Sequence, residues 1–254
     1  MFLPREFRRR RLRNQQFPQE WEEILARNIP RFKHLSASDR EELQGHIQIF
    51  LAEKRFEGAA GLVITDEIRV TIAAQACMLL LHRDTDYYPG LSSIIVYPHE
   101  YVTRHTERSP GGFVHEGTQA RLGESSSRGA VVLSWDHVRA GASDVDDCRN
   151  VVFHEFAHQL DAEDGRVDGA PLLPRRSSYI AWARILGKEY DELRRRTARG
   201  YTTLLDRYAA TNPAEFFAVA TECFFQSPVQ MRAEHPELYE ELKAYYRQDP
   251  AAQA

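Results

Sequence analysis

Two histidines one helical turn apart, with a glutamate beside the first, are the residues in this sequence best suited to chemistry. They form the run His154-Glu155-Phe156-Ala157-His158, an H-E-x-x-H pattern. Positions i and i+4 share one helix face, so both imidazoles can point at a single metal ion. Glu155 follows the first histidine and can reach a water on the same ion. The stretch from Asn150 to Asp161 contains no glycine or proline, and Val152, Phe153, Phe156, Ala157 and Leu160 leave only a narrow polar strip. A helix of that kind is buried. On an exposed amphipathic helix the same five residues would be ordinary surface. On a buried one, two histidines and a glutamate need partners or a metal. The chemistry implied is metal-assisted hydrolysis with one Zn2+, although such a set accepts other divalent ions.

A catalytic zinc commonly keeps three protein ligands and one open position, so a third donor is needed. Asp164 stands where a metzincin-like pattern has its last ligand, but that pattern carries a glycine where this chain has Asp161. Glu215 and Glu222 are seven apart and so nearly on one face of a helix opened by Asn212-Pro213. Glu215 also sits where a capping-box glutamate would. Its place at the helix start lets it face a cleft, which favours it. Glu222 lies deeper, among Ala218, Val219, Cys223 and Phe224. There it can accept a hydrogen bond from a ligand imidazole or join an ion pair. The residues alone leave the three open. Asp161 can orient an imidazole or cap the helix end.

The elements that must position these groups follow from periodicity and turn chemistry. Helices are expected over 18–27, from Ser36 or Ser38 toward Phe56, from Thr65 or Asp66 to about Leu81, over 179–197, from Pro213 to about Phe225, and over 236–246. The 66–81 helix is apolar on almost all sides and reads as a core helix. Strands are expected at 92–97, 101–106, 113–119 and 130–135, with a short strand or extended lead-in at 62–65 and a polar hairpin loop at 124–129. Order alone makes 130–135 the candidate edge strand for pairing with an extended peptide. The fold class is α+β, mainly helical with a small mixed sheet beside the H-E-x-x-H helix. The chain divides into a basic arm (1–14), a helical part (15–90) and a catalytic part (91–254), packed as one compact unit.

Composition narrows the setting. The chain has 254 residues, 43% of them hydrophobic, and a net charge of -4. That balance gives no general attraction to nucleic acid or membrane. Six arginines crowd residues 5–13. They read as a solvated, poorly ordered terminus, since no basic surface interleaved with aromatics supports a nucleic-acid site. No direct nucleic-acid binding and no membrane insertion are expected. The run from Val70 to Leu81 is too short and too polar to span a bilayer. No secretory signal is evident. Cys77, Cys148 and Cys223 are odd in number and widely spaced, so a disulfide framework is not expected, and a reducing, cytoplasmic compartment is.

Three phrases carry a family resemblance. They are residues 62–76 (LVITDEIRVTIAAQA), 150–161 (NVVFHEFAHQLD) and 208–222 (YAATNPAEFFAVATE). Together they resemble the bacterial Mlc titration factor A (MtfA) proteins over nearly the whole chain. The resemblance implies a gluzincin-type, zincin-like site similar to the catalytic domain of anthrax lethal factor. It implies that His154, His158 and Glu215 bind zinc and that Glu155 is the acid–base. Tyr208 would face the reacting carbonyl, leaving Glu222 behind the ligands. It further implies aminopeptidase activity on small peptide substrates, and binding and inactivation of the transcription repressor Mlc. A primarily regulatory, repressor-titrating protein with minor or gated peptidase activity is the alternative.

Overall fold

The computed structural model describes residues 4–108, 114–121, 123–126, 129–143 and 147–253. The chain begins with α1 (Arg5–Arg13) and α2 (Gln19–Asn28), the latter entered through Pro18. Helix α3 (Ala37–Glu53) follows, capped by the Ser36 hydroxyl, which accepts from Asp39 N at 3.1 Å. Strand β1 (Arg55–Gly58) leads to α4 (Asp66–Met78), whose N-cap is Thr65. Then come β2 (Ser93–Tyr97), β3 (Tyr101–Arg108), β4 (Val114–Arg121), β5 (Gly123–Ser126) and β6 (Ala130–Ser134). The second half is helical: α5 (Trp135–Ser143), α6 (Val151–Asp161), α7 (Arg176–Ala198), α8 (Pro213–Gln226), α9 (Pro228–Glu234) and α10 (Pro236–Tyr246). Among these residues no helix is long and apolar enough to cross a membrane.

The main sheet has the order β1-β2-β6-β5. Strands β1, β2 and β6 are parallel, and β5 runs antiparallel to β6. Ile94 pairs with Val131 and Val96 with Leu133, and all four are buried. The period-two alternation of β2 and β6 therefore turns one apolar face inward. Strands β3 and β4 form a separate antiparallel hairpin. Helix α4 is buried on nearly every side, and α6 packs between α4 and α8. The metal-pattern helix thus lies in the middle of the core, where its few polar groups must find partners.

Several expectations are corrected. The 130–135 segment is not an edge: β6 lies between β2 and β5, and β5 is the edge on that side. Alternation marks a strand but not its place in the sheet order. The polar 124–129 segment expected as a loop supplies part of β5. Of the two readings of 62–65, the lead-in to α4 holds and the strand does not. Strand β1 lies instead at 55–58, directly after α3, where the sequence reads as a helix end. Helices α5 and α9 were not expected. Residues 109–113, within the expected turn and strand start, lie outside the described residues.

The arginine-rich start is a helix docked on the core. Buried Arg9 donates from Nε to Glu53 Oε1 at 2.8 Å and from Nη1 to Asp86 Oδ1 at 2.7 Å, and it stacks over Tyr87. Arg5 also pairs with Glu53 and Asp86. Burial works to raise the Glu53 carboxyl, but Arg9 and Arg5 hold it below its usual value. The stability this carboxylate contributes is present above about pH 4.5 and is lost as pH falls through its lowered value. Arg9→Met should leave Glu53 buried without its main partner. The expected cost is about 3 kcal/mol, or roughly 6–12 °C in Tm for a chain of this size. Thermal unfolding at neutral pH checks it.

The cysteines hold one bond that their spacing does not suggest. Cys148 and Cys223 form a disulfide across 75 residues of chain, while Cys77 is free and buried. The spacing hides the pairing because it closes only when the lead-in to α6 meets α8.

Candidate metal centre

Helix α6 starts at Asn150, whose side chain and backbone N–H make four bonds at once. Its side-chain oxygen accepts from Phe153 N at 2.9 Å, the cap that starts the helix. Its amide nitrogen donates to Gln75 Oε1 and to Gly141 O, both at 2.8 Å. Its backbone N–H donates to Glu222 Oε2 at 2.6 Å. Gly141 is needed here, because a Cβ would come within 2.9 Å of Asn150 Cα. Helix α8 starts in the same way: Asn212 accepts from Glu215 N at 3.0 Å, and Pro213 takes the first turn. The backbone of Glu215 satisfies the cap, so its side chain is free to turn toward α6.

There the three nitrogen and oxygen donors meet. His154 Nε2 lies 3.0 Å from Glu215 Oε2 and 3.2 Å from His158 Nε2, and His158 Nε2 lies 3.3 Å from Glu215 Oε2. Ligands about 2.0–2.1 Å from one tetrahedral zinc are separated by about 3.3–3.4 Å, so the triangle has the size one such ion requires. Protonation points the same way. His154 Nδ1 faces Glu222 Oε1 at 2.7 Å, which places the proton on Nδ1 and the lone pair on Nε2. That lone pair then faces a carboxylate and a second imidazole, an arrangement that needs a cation or an extra proton between them. Burial works to lower the His154 pKa, but Glu222 and Glu215 push it well above the imidazole range. Glu215 resists its own burial and is held far below the carboxylate range by the two histidines. The donor set fits a divalent cation.

Glu155 points from the same helix and is only 5% exposed. Burial pushes its carboxyl up to about 7, and Oε2 has no hydrogen-bond partner among the described residues. A carboxylate in that range can take and return a proton near neutral pH. Tyr208 sits in a 3₁₀ turn (Arg207–Ala210) whose cap, Asp206, accepts from Tyr208 N at 2.9 Å. Its ring centroid is 6.1 Å from that of His154, and the residue is 50% exposed, so it borders the donors from the solvent side.

The other sequence candidates separate. Glu222 stands behind His154, bridging its Nδ1 to the Asn150 backbone. Asp164 accepts from Arg166 N at 2.9 Å within its own turn and is not in the donor group. Asp161 is fully buried at the end of α6 and accepts from Gly169 N at 2.9 Å. It ties the following loop to the helix. No hydrogen bond joins it to His158 among the described residues, whose Nδ1 has no partner. Asn150, Gln75 and Gly141 were not singled out from the sequence. The only local signal was an asparagine at a helix start. The Cys148–Cys223 disulfide joins the same two segments, beside the Asn150–Glu222 bond.

Glu222→Gln should weaken the metal without abolishing the site. The amide still fills the space, but it is a weaker acceptor for His154. Metal affinity is expected to fall roughly 10–100-fold, measured by competition with a chromogenic chelator.

A profile of the glucose-regulated metallo-peptidase M90 family matches residues 4–247. An uncharacterised protein of Synechocystis sp. is 40% identical over 246 residues, covering 96% of this chain and 90% of its own length. Mlc titration factor A of Klebsiella pneumoniae subsp. pneumoniae is 32% identical over 237 residues, 91% of this chain and 87% of its own. Mlc titration factor A of Yersinia pestis is 29% identical over 238 residues, with 92% and 86% covered. With a family match over nearly its full length, and relatives aligned over about nine-tenths of theirs, the chain belongs to the glucose-regulated metallo-peptidase M90 family.

Proposed function

We propose that this metallopeptidase is zinc-dependent and acts as an aminopeptidase, with His154, His158 and Glu215 holding one Zn2+. The observation that carries the reading is the mutual 3.0–3.3 Å spacing of those donors beside a buried Glu155 carboxylate oxygen that has no partner among the described residues. A bound zinc ion would supply Lewis acidity at the scissile carbonyl. Glu155 takes the proton of the attacking water and returns it to the leaving nitrogen. The Tyr208 hydroxyl donates to the carbonyl oxygen as negative charge builds there. Glu222 keeps His154 in the Nδ1–H tautomer, with Nε2 turned inward. A zincin-like fold is supported by the mixed sheet whose antiparallel edge strand, β5, packs near α6. An extended peptide would add to that edge.

The test is hydrolysis of a panel of amino-acid and short-peptide chromogenic substrates, each with a free and an acetylated amino terminus. Turnover of the free-amine members alone fits the aminopeptidase. Turnover of both makes it an endopeptidase, and turnover of neither sinks the peptidase reading.

The name of two relatives carries a second reading: a protein that titrates the repressor Mlc. Pull-down of Mlc by metal-free protein would mark a surface function independent of the site. A cytoplasmic setting fits such a partner, and the Cys148–Cys223 disulfide is the observation that opposes it.

A further inference from the structure

A cleft of about 840 Å³ opens beside the candidate metal centre. Its lining includes Arg149, Thr197, Tyr201, Asp206, Arg207 and Tyr208. Tyr208 belongs to both places: it walls the cleft and its ring lies 6.1 Å from that of His154. That shared wall joins the cleft to the donors and carries the link between a peptide bound at them and this space. The volume is within the range of small-ligand pockets, about 300–1,000 Å³.

The charge in the cleft is unbalanced. Asp206 is the one acidic residue in the lining, and it is engaged twice, with Arg149 Nη2 at 3.3 Å and with Tyr208 N at 2.9 Å. Arg207 is exposed and makes no ion pair or hydrogen bond among the described residues. One guanidinium is therefore left over. The Thr197 hydroxyl is buried and has no hydrogen-bond partner among the described residues. Tyr201, 60% exposed, offers an aromatic wall.

We propose that this cleft is a subsite for a carboxylate on the peptide substrate, with Arg207 as its principal recognition residue. The inference rests on the peptidase reading above. A planar guanidinium with a fork of donors matches a carboxylate two bonds at a time. An ammonium group would meet the surplus positive charge, and an apolar side chain would leave it unpaired. The carboxylate has two possible sources, an acidic side chain next to the scissile bond or the free end of a short peptide.

Calorimetric titration of metal-loaded Glu155→Gln protein tests this without turnover. The probes are four tetra-alanine peptides: one amidated, one with a free carboxyl end, one amidated with glutamate at the second position, and one amidated with lysine there. At low salt the carboxylate probe should bind about tenfold more tightly than the neutral amide. The arm that gains identifies the source. Adding Arg207→Ala should remove the gain, and Arg207→Glu should turn the preference toward lysine, with metal content and Tm unchanged. In the active protein, Arg207→Ala should raise KM for the favoured substrate and leave kcat nearly constant. Equal affinity for all four probes, absence of binding, or a preference untouched by Arg207→Ala overturns the subsite. In that case hydrolysis of neutral peptides would leave the peptidase reading standing. Arg207-dependent carboxylate binding without hydrolysis of any substrate by the unmutated protein would do the reverse.

Discussion

Replacing Glu155 by glutamine is expected to leave the metal in place and slow peptide hydrolysis by about 10²–10⁴-fold. Glutamine has nearly the volume of glutamate, and the position is 5% exposed, so the packing between α4 and α8 should survive. The three candidate metal donors keep their atoms. What is lost is the ability to hold a proton and release it. Metal content and kcat on the same protein batches separate the two effects. Wild-type turnover in the variant would sink the proton-transfer role.

The same substitution has an opposite effect on the stability of the metal-free chain. Burial raises the Glu155 carboxyl from 4.5 to about 7. A raised carboxyl favours the folded state while it is protonated. Its contribution is full below about pH 4.5 and is lost as pH rises through about 7. Glutamine does not titrate. Relative to wild type, the metal-free variant should therefore gain stability as pH rises across that window and keep the gain above it. Unfolding in chelator at pH 4.5 and at pH 8 reads the difference, and a difference that does not change with pH would contradict it. Glu155 thus costs stability at neutral pH, a cost that has a physical reason if the residue serves turnover.

The second large effect is expected from Glu215→Ala. Two imidazoles 3.2 Å apart remain, but the set loses its anionic donor and one of three coordination bonds. Bound metal should fall from about one ion per chain to a small fraction of that after dialysis, with activity falling in proportion. A metal that binds only the folded state raises Tm. Chelator should therefore lower the Tm of the wild-type protein and leave that of the variant unchanged. Asp164→Ala is the control, because its carboxylate is used within its own turn. Loss of metal on Asp164→Ala with retention on Glu215→Ala would reverse the assignment of the third donor. Glu222→Gln should lie between these limits, because it acts through the imidazole of His154.

The sequence by itself determined the local parts of this site. His154, Glu155 and His158 share a face because a helix repeats every 3.6 residues, and Asn150 to Asp161 holds nothing that would break one. Asn212-Pro213 opens α8 by cap chemistry that needs no tertiary contact. The mixed sheet was legible in part, since residues 92–97 and 130–135 are short apolar runs rich in β-branched residues.

Tertiary structure decided everything that depends on which distant segments meet. No local rule ranks Glu215 against Glu222. Packing of α6 on α8 turns the first toward both histidines and sets the second behind one of them, holding the Asn150 backbone. Strand order made β5 rather than β6 the outer strand among the described residues, because pairing partners are set by the whole sheet and not by the composition of one strand. Arg9 is counted with its neighbours as a solvated charge until α3 brings Glu53 to it. Cys148 and Cys223 stand 75 residues apart and meet only across that same packed interface of helices. Periodicity is a property of a dozen residues. Which faces touch is a property of the whole core.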